Sequence, residues 1–213
     1  VMAKSFQLLL MIGSVLAIPV PAALIDALQS VQVTTSAGQR SGFQLSFAIS
    51  KKSVITTALL PAGLLDPPAR VIIVALLGGL PKVLMDGIIT RHELSPSDTA
   101  GGSTLTVTGE DLTALMDMSH ERMCFPAMPL NLRVMAIVAK YALYGIIPAA
   151  VPAVIFNVPN PLNTIPVQSS TDLNYIQSLA SEAGYSFFQI PGPTPGISVA
   201  YWGPEARAGM LQS

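Results

Sequence analysis

Apolar residues alternate along the first half of this 213-residue chain and collect into helical stripes in the second. From Ser30 to Ser50 the period is two. Val31 and Val33 come first, then Phe43, Leu45, Phe47 and Ile49, with Gln44, Ser46 and Ala48 between them. Such alternation predicts a β-hairpin with one buried face, turning through Ser36-Ala37-Gly38-Gln39. A second pair, Arg70 to Leu77 and Lys82 to Leu94, flanks the turn chemistry of Gly78-Gly79-Leu80-Pro81, and Ser103 to Thr108 reads as a further strand. Before these, the run Leu8-Leu9-Leu10-Met11-Ile12 meets Gly13-Ser14 and then Pro19 and Pro21, which fits a strand, a Pro-rich turn and a short helix from Ala22 to Gln29. After them, Thr108 to Asp111 resembles a capping box opening a helix with Leu112, Leu115 and Met116 as its inner stripe. Several strands with one capping helix predict a small antiparallel barrel or sandwich, a mainly β fold with inserted helices (α+β).

In the second half, Pro126 to Pro129 marks a linker and an apolar stretch runs from Leu132 to Val158. A clear amphipathic helix is expected at Thr171–Ala183. There Leu173, Ile176, Leu179, Ala180 and Ala183 share one face, Asp172 suits the N-terminal dipole, and Gly184 stands at the C′ position. Tyr185 to Ile190 then reads as a strand, ended by Pro191-Gly192-Pro193.

Composition adds a constraint. Half the residues are hydrophobic (51%) and only 11% are charged, against the roughly 25% charged share of an ordinary soluble domain. A chain so poor in polar surface either inserts in a bilayer or packs against permanent partners. The bilayer reading would use two apolar spans, one starting near Lys4 and one at Leu132–Val158. Prolines and the charges Asp26, Arg133 and Lys140 interrupt both. The net charge of −1 gives no basic field for nucleic acid, and a single cysteine, Cys124, excludes an intrachain disulfide.

Candidate chemistry is sparse. Asp117, His120 and Glu121 are residue types that bind metal or move protons, but a solvated helix end before a Pro-rich linker explains them better; His92 and Glu93 are strand neighbours pointing to opposite faces. Glu110 and Asp111 are adjacent carboxylates at an expected helix start, and no serine has a Gly-x-Ser-x-Gly setting. No catalytic residue, metal ligand or cofactor is expected.

The segment Ser170-Thr171-Asp172-Leu173-Asn174-Tyr175-Ile176-Gln177-Ser178-Leu179-Ala180-Ser181-Glu182-Ala183-Gly184-Tyr185-Ser186-Phe187 resembles a segment of phage late control D proteins, the baseplate hubs, and of the hub part of valine–glycine-repeat spike proteins. Four shorter pieces agree with it: Asp86 to Thr90, Ser103 to Asp117, Lys140 to Pro148, and Ala200 to Glu205. The resemblance is strongest to the hubs of contractile injection systems. It implies tube-like antiparallel β-barrels: a first barrel over residues 1–122, a linker and apolar helix over 123–168, and a helix with the start of a second barrel region over 169–213. It also implies a non-enzymatic homotrimer that joins the inner tube protein to the spike protein among other baseplate components. Such a particle is assembled in the bacterial cytoplasm, with no nucleic acid and no membrane insertion. The residues implied as signature or interface positions are Thr171, Asp172, Tyr175, Ile176, Leu179, Glu182, Gly184, Tyr185 and Phe187, with Tyr201 and Trp202 in the Tyr-Trp-Gly-Pro piece. By the same resemblance the chain corresponds to the hub portion, without the spike.

Overall fold

The computed structural model describes residues 6–35, 40–50, 52–97, 102–153 and 158–205. They form two compact units. The first gathers the residues up to Thr35, Ser41–Leu112 and Pro191–Gly196; the second gathers Arg40, the described part of Thr113–Ile190, and residues 197–205.

The first unit is one antiparallel sheet of seven strands: β1 (Phe6–Gly13), β2 (Ile18–Pro19), β3 (Leu28–Thr34), β4 (Gly42–Ile49), β5 (Arg70–Leu77), β6 (Leu80–Ser95) and β7 (Ser103–Asp111). Their order is β2-β1-β5-β6-β7-β4-β3. The period-two reading of β3 and β4 holds, since the two pair antiparallel and Phe43, Leu45, Phe47 and Ile49 all point inward. The turn Ser36 to Gln39 lies outside the described residues. Between β5 and β6 the turn is tighter than expected: Leu77 pairs with Leu80, leaving Gly78 and Gly79 alone, both with positive φ. That two-residue form matches the right-handed strand twist.

The two edge strands are joined by a short connection, and this sets the curvature. Seven strands laid flat would hold their edges about 29 Å apart. Between Pro19 and Leu28 the chain contains the helix α1 (Ala22–Asp26), so its greatest reach is about 24 Å. The sheet therefore curls, with β1 and β3 facing one core of Leu10, Ile12, Leu24, Phe47, Val71, Ile73, Met85, Ile89 and Val107, against which Val31 and Val33 pack. α1 stops at Asp26, not Gln29, because Leu28 onward is recruited into β3.

β6 carries the bend. Its first half pairs with β5 and its second with β7, and the two ladders overlap at Gly87 and Ile88. Register shifts flank that crossing, between Ile73 and Val74 on the β5 side and between Ile89 and Arg91 on the β7 side. Such bulges bend a strand and increase its twist. Close approach there requires glycine: a Cβ on Gly87 would strike the Glu110 carbonyl oxygen, and one on Gly109 would strike both the Ile88 carbonyl oxygen and the Phe43 ring. Asp86 to Thr90 is thus the middle of a long strand.

The helix expected to open at Thr108 does not. Thr108 sits mid-ladder between Gln44 and Arg91, β7 runs on to Asp111, and a 3-10 helix follows over Leu112–Asp117. Local capping chemistry was outcompeted by two flanking strands offering backbone partners to Thr108, Gly109 and Glu110. Glu110 and Asp111 are strand neighbours, and Asp111 is buried where its carboxylate accepts the Ser41 N–H at 2.6 Å.

The second unit holds β8 (His120–Cys124), α2 (Leu130–Ala139), β9 (Ile146–Ala150), β10 (Val167–Thr171), α3 (Asp172–Ala183), β11 (Ser186–Pro191) and β12 (Ser198–Gly203). β8 and β10 form an antiparallel ribbon; β11, β12 and β9 form a three-stranded sheet in which β9 runs parallel to β12. The alternative of two membrane-spanning helices finds no support in the apolar runs. Leu8 to Ile12 lies in strand β1, α2 is ten residues long, and no helix among the described residues is long and apolar enough to cross a membrane. Gly145, with a left-handed backbone, and Pro148 redirect the apolar stretch from helix into β9.

Candidate functional site

The segment singled out in the sequence folds as a strand running directly into a helix. Thr171 ends β10, opposite His120, and is also the N-cap of α3. Its hydroxyl is used twice: it accepts the Asn174 N–H at 3.2 Å and donates to the Asp117 carboxylate at 2.8 Å. Asp117 also pairs with Arg40. Partial desolvation pushes the Asp117 carboxyl up, but the Thr171 hydrogen bond and the Arg40 guanidinium together hold it below the ordinary carboxylate range.

Asp172 stands in the first turn of α3, where the dipole favours it, and it is also buried, with 1% of its side chain exposed, accepting three hydrogen bonds: from Lys140 Nζ at 2.6 Å, Tyr141 Oη at 2.8 Å and Gln168 Nε2 at 2.6 Å. A carboxylate taken out of water needs such compensation. Burial, and then the bond to Asp172, push the Tyr141 hydroxyl well above the usual phenol range. Gln168 also donates to the Ser170 carbonyl at 3.2 Å, while its own oxygen is buried without a protein partner.

Along α3 the inner face is Leu173, Ile176, Leu179 and Ala180, as the spacing predicts. Tyr175 stacks nearly parallel on Phe125 with centroids 5.6 Å apart. The outer face, Asn174, Gln177, Ser178, Ser181 and Glu182, is exposed and carries one charge. Gly184 takes the left-handed conformation (φ 67), its N–H reaching the Ser181 carbonyl while the Tyr185 N–H reaches Ala180 at 2.8 Å. That pair of bonds is a Schellman motif.

Beyond it, Tyr185 sets its ring edge-on to Trp202 at 4.8 Å and donates its hydroxyl to the Pro152 carbonyl at 3.0 Å. Phe187 and Phe188 are buried, and Phe188 tilts against Tyr201 at 5.3 Å. Tyr201 and Trp202 are 3% and 0% exposed, so both pack this chain's own interior. The structure thus brings Thr171 to Phe187 together with Asp117, Lys140 and Tyr141 around α3, and places Tyr201 and Trp202 on β12 beside Tyr185. Sequence reading missed Gln168 and Phe125 altogether. Lys140 stood out as an interruption and as the start of one family-like piece, but not as the partner of a buried anion, which a lone cation in an apolar run can signal. His120 is exposed on β8, and no cluster of three His, Cys, Asp or Glu able to hold a metal occurs among the described residues.

Comparison with solved structures recognises this architecture. The 43 kDa tail protein of prophage MuSo2 from Shewanella oneidensis matches with a TM-score of 0.56 at 15% identity, over 92% of this chain and 53% of that one. The chain has a phage-tail-protein fold. A chain of the Francisella PdpA-VgrG complex matches at TM-score 0.55 and 10% identity over 98% of this chain and 34% of that one. A tail protein of Neisseria meningitidis MC58 matches at 0.52 and 11%, over 91% and 50%. The chain therefore spans about half the length of the two tail proteins and about a third of the Francisella chain. No family model matches it, and no curated protein is similar by sequence.

Proposed function

We propose that the chain is a structural subunit of the baseplate hub in a contractile phage tail or tail-like injection system, forming a homotrimeric ring that joins the inner tube to the spike. The observation that carries this reading is the shared fold, which extends over nine-tenths of the chain to two tail proteins and a chain of a VgrG complex. The curled seven-stranded sheet supports the barrel part of the reading, with α1 at the seam between its edges.

Surface chemistry supports assembly over solitary life. The outward face of α2 and the turn after it carry Leu132, Met135, Ala136, Ala139 and Leu143, all exposed, while Arg133, Val134, Ile137 and Val138 face inward. A helix apolar on both faces is the pattern of an element covered in its working state. We read the neighbouring copy in the ring as that cover. Signature residues would act mainly by shaping the second unit, with the exposed side of α3 around Glu182 as the part available to partners.

The test is reconstitution. The full-length chain is purified alone and with the inner tube and spike proteins of its own gene cluster, and masses are read by light scattering. A trimer that binds both is expected. A stable monomer without affinity for either refutes the hub reading.

A further inference from the structure

Arg70 and Asp86 form the most buried ion pair among the described residues, with 2% and 0% of their side chains exposed. Arg70 opposes Ile88 and Asp86 opposes Ile72, so the two side chains meet diagonally on one face of the β5–β6 ladder. Two parallel bonds join them: Nε to Oδ1 at 2.8 Å and Nη2 to Oδ2 at 2.7 Å. If holding the sheet were its whole task, the guanidinium could stop there. It goes on to donate through Nη1 to the Val15 carbonyl at 2.8 Å and through Nη2 to the Gly196 carbonyl at 3.2 Å.

Those carbonyls belong to two surface loops far apart in sequence. Val15 is in the turn between β1 and β2; Gly196 ends the strap Pro191–Gly196, which alternates proline with other residues and is counted with the first unit although its flanking strands are not. A separate small apolar cluster of Ile72, Val74 and Val83 has Ala17 of the first loop packed against it, together with Leu9 and Met11 of β1. Only a planar fork can serve a carboxylate bidentately and still direct donors to two other acceptors; an ammonium cannot.

We propose that Arg70 is a latch for both loops, aligned by Asp86, so that releasing it frees the Val15 turn and the Pro191–Gly196 strap together while the sheet stays folded. The latch does not depend on the hub assignment. Its working consequence is a switchable cover: opening it uncovers the Ile72, Val74 and Val83 cluster.

Two variants separate a latch from a strut. Arg70→Lys keeps a cation for Asp86 but loses the fork. The double variant Arg70→Met with Asp86→Leu removes both charges, a replacement that buried pairs commonly tolerate. Each is made in the full chain with Cys124→Ser and a spin label at Thr194→Cys on the strap or at Ser14→Cys on the turn, both exposed positions. The expected result is a several-fold shorter rotational correlation time at both labels in both variants, with an unchanged far-UV spectrum and cooperative melting of the sheet. Unchanged mobility at either label in both variants overturns the proposal. So does unfolding of both variants, since the pair would then be holding the sheet instead of the loops.

Discussion

Replacing Asp172 by alanine removes the acceptor shared by three donors, and the cost follows from how well each donor can recover. Lys140 keeps 31% of its side chain exposed and regains water, so its share is small. Gln168 cannot. It is fully buried, its oxygen already lacks a partner, and without Asp172 its amide nitrogen retains only the longer bond to Ser170. Stranding a buried polar group costs about 1–3 kcal/mol, and the partly buried Tyr141 hydroxyl adds a similar smaller amount. The expected loss is about 3 kcal/mol, which at a urea slope of about 1.5 kcal/mol per molar moves the midpoint down by about 2 M. Trp202 is the chain's single tryptophan, fully buried in the second unit, so its fluorescence reports that unit's unfolding directly. Asp172→Asn, which keeps one acceptor, should lose about half as much, and the loss should shrink further in a Lys140→Met background. A midpoint shift below about 0.5 M for the alanine variant would refute the idea that this carboxylate organises the unit.

Three further outcomes follow from the same geometry. Gly109→Ala forces a Cβ into the Ile88 carbonyl and the Phe43 ring, and should cost at least about 2 kcal/mol in thermal or chemical unfolding of the first unit, where Gly42, whose added Cβ would meet the Gly109 carbonyl oxygen at an ordinary 3.6 Å, should tolerate alanine far better. Gly184→Ala meets no atom but must hold a positive φ, so a loss of about 1 kcal/mol is expected, with Gly184→Asn falling between the two. Because Asp117 is held below its unfolded value, the native state binds fewer protons than the unfolded state in that interval. Its contribution is complete above about pH 4 and disappears as pH falls through the lowered native value; Asp117→Asn should flatten the acid limb of a stability–pH curve, and an unchanged limb would count against the Arg40 and Thr171 contacts.

What the sequence shows clearly is what depends on neighbours in the chain. The hairpin of β3 and β4, the turn at Gly78-Gly79, and α3 from its Thr171 cap to its Gly184 stop are each specified by residues a few positions apart, and each appears where period and capping rules place it. Thr108 shows the limit. Its capping pattern was as good locally as that of Thr171, yet it lies in a strand, because Gln44 and Arg91 supply ladder partners that no local window contains. The curl of the sheet is hidden for the same reason, since it depends on β2 and β3 being opposite edges joined by a short connection.

The signature segment adds a second case, a helix that is legible while the partners of its polar residues are not. Read as a string, Thr171 to Phe187 gives an amphipathic helix whose residues stand as signature or interface positions. In the fold, Thr171 caps, Asp172 is a buried acceptor, Leu173, Ile176 and Leu179 are core, Gly184 stops the helix, and Tyr185 and Phe187 pack within the unit. Such residues are the ones a fold cannot easily exchange, because each satisfies a backbone group or fills a fixed volume. Partner contacts need only exposed chemistry of the right shape, which Asn174, Gln177, Ser178, Ser181 and Glu182 could supply in many forms. Substituting Gln177 and Ser181 together by lysine should therefore leave Trp202-monitored unfolding within about 0.5 kcal/mol of the parent, as surface changes usually do. If α3 meets a partner in the assembled ring, the same double variant should fail in reconstitution with tube and spike proteins. Full assembly by that variant would move the search for the contact from α3 to the apolar face of α2.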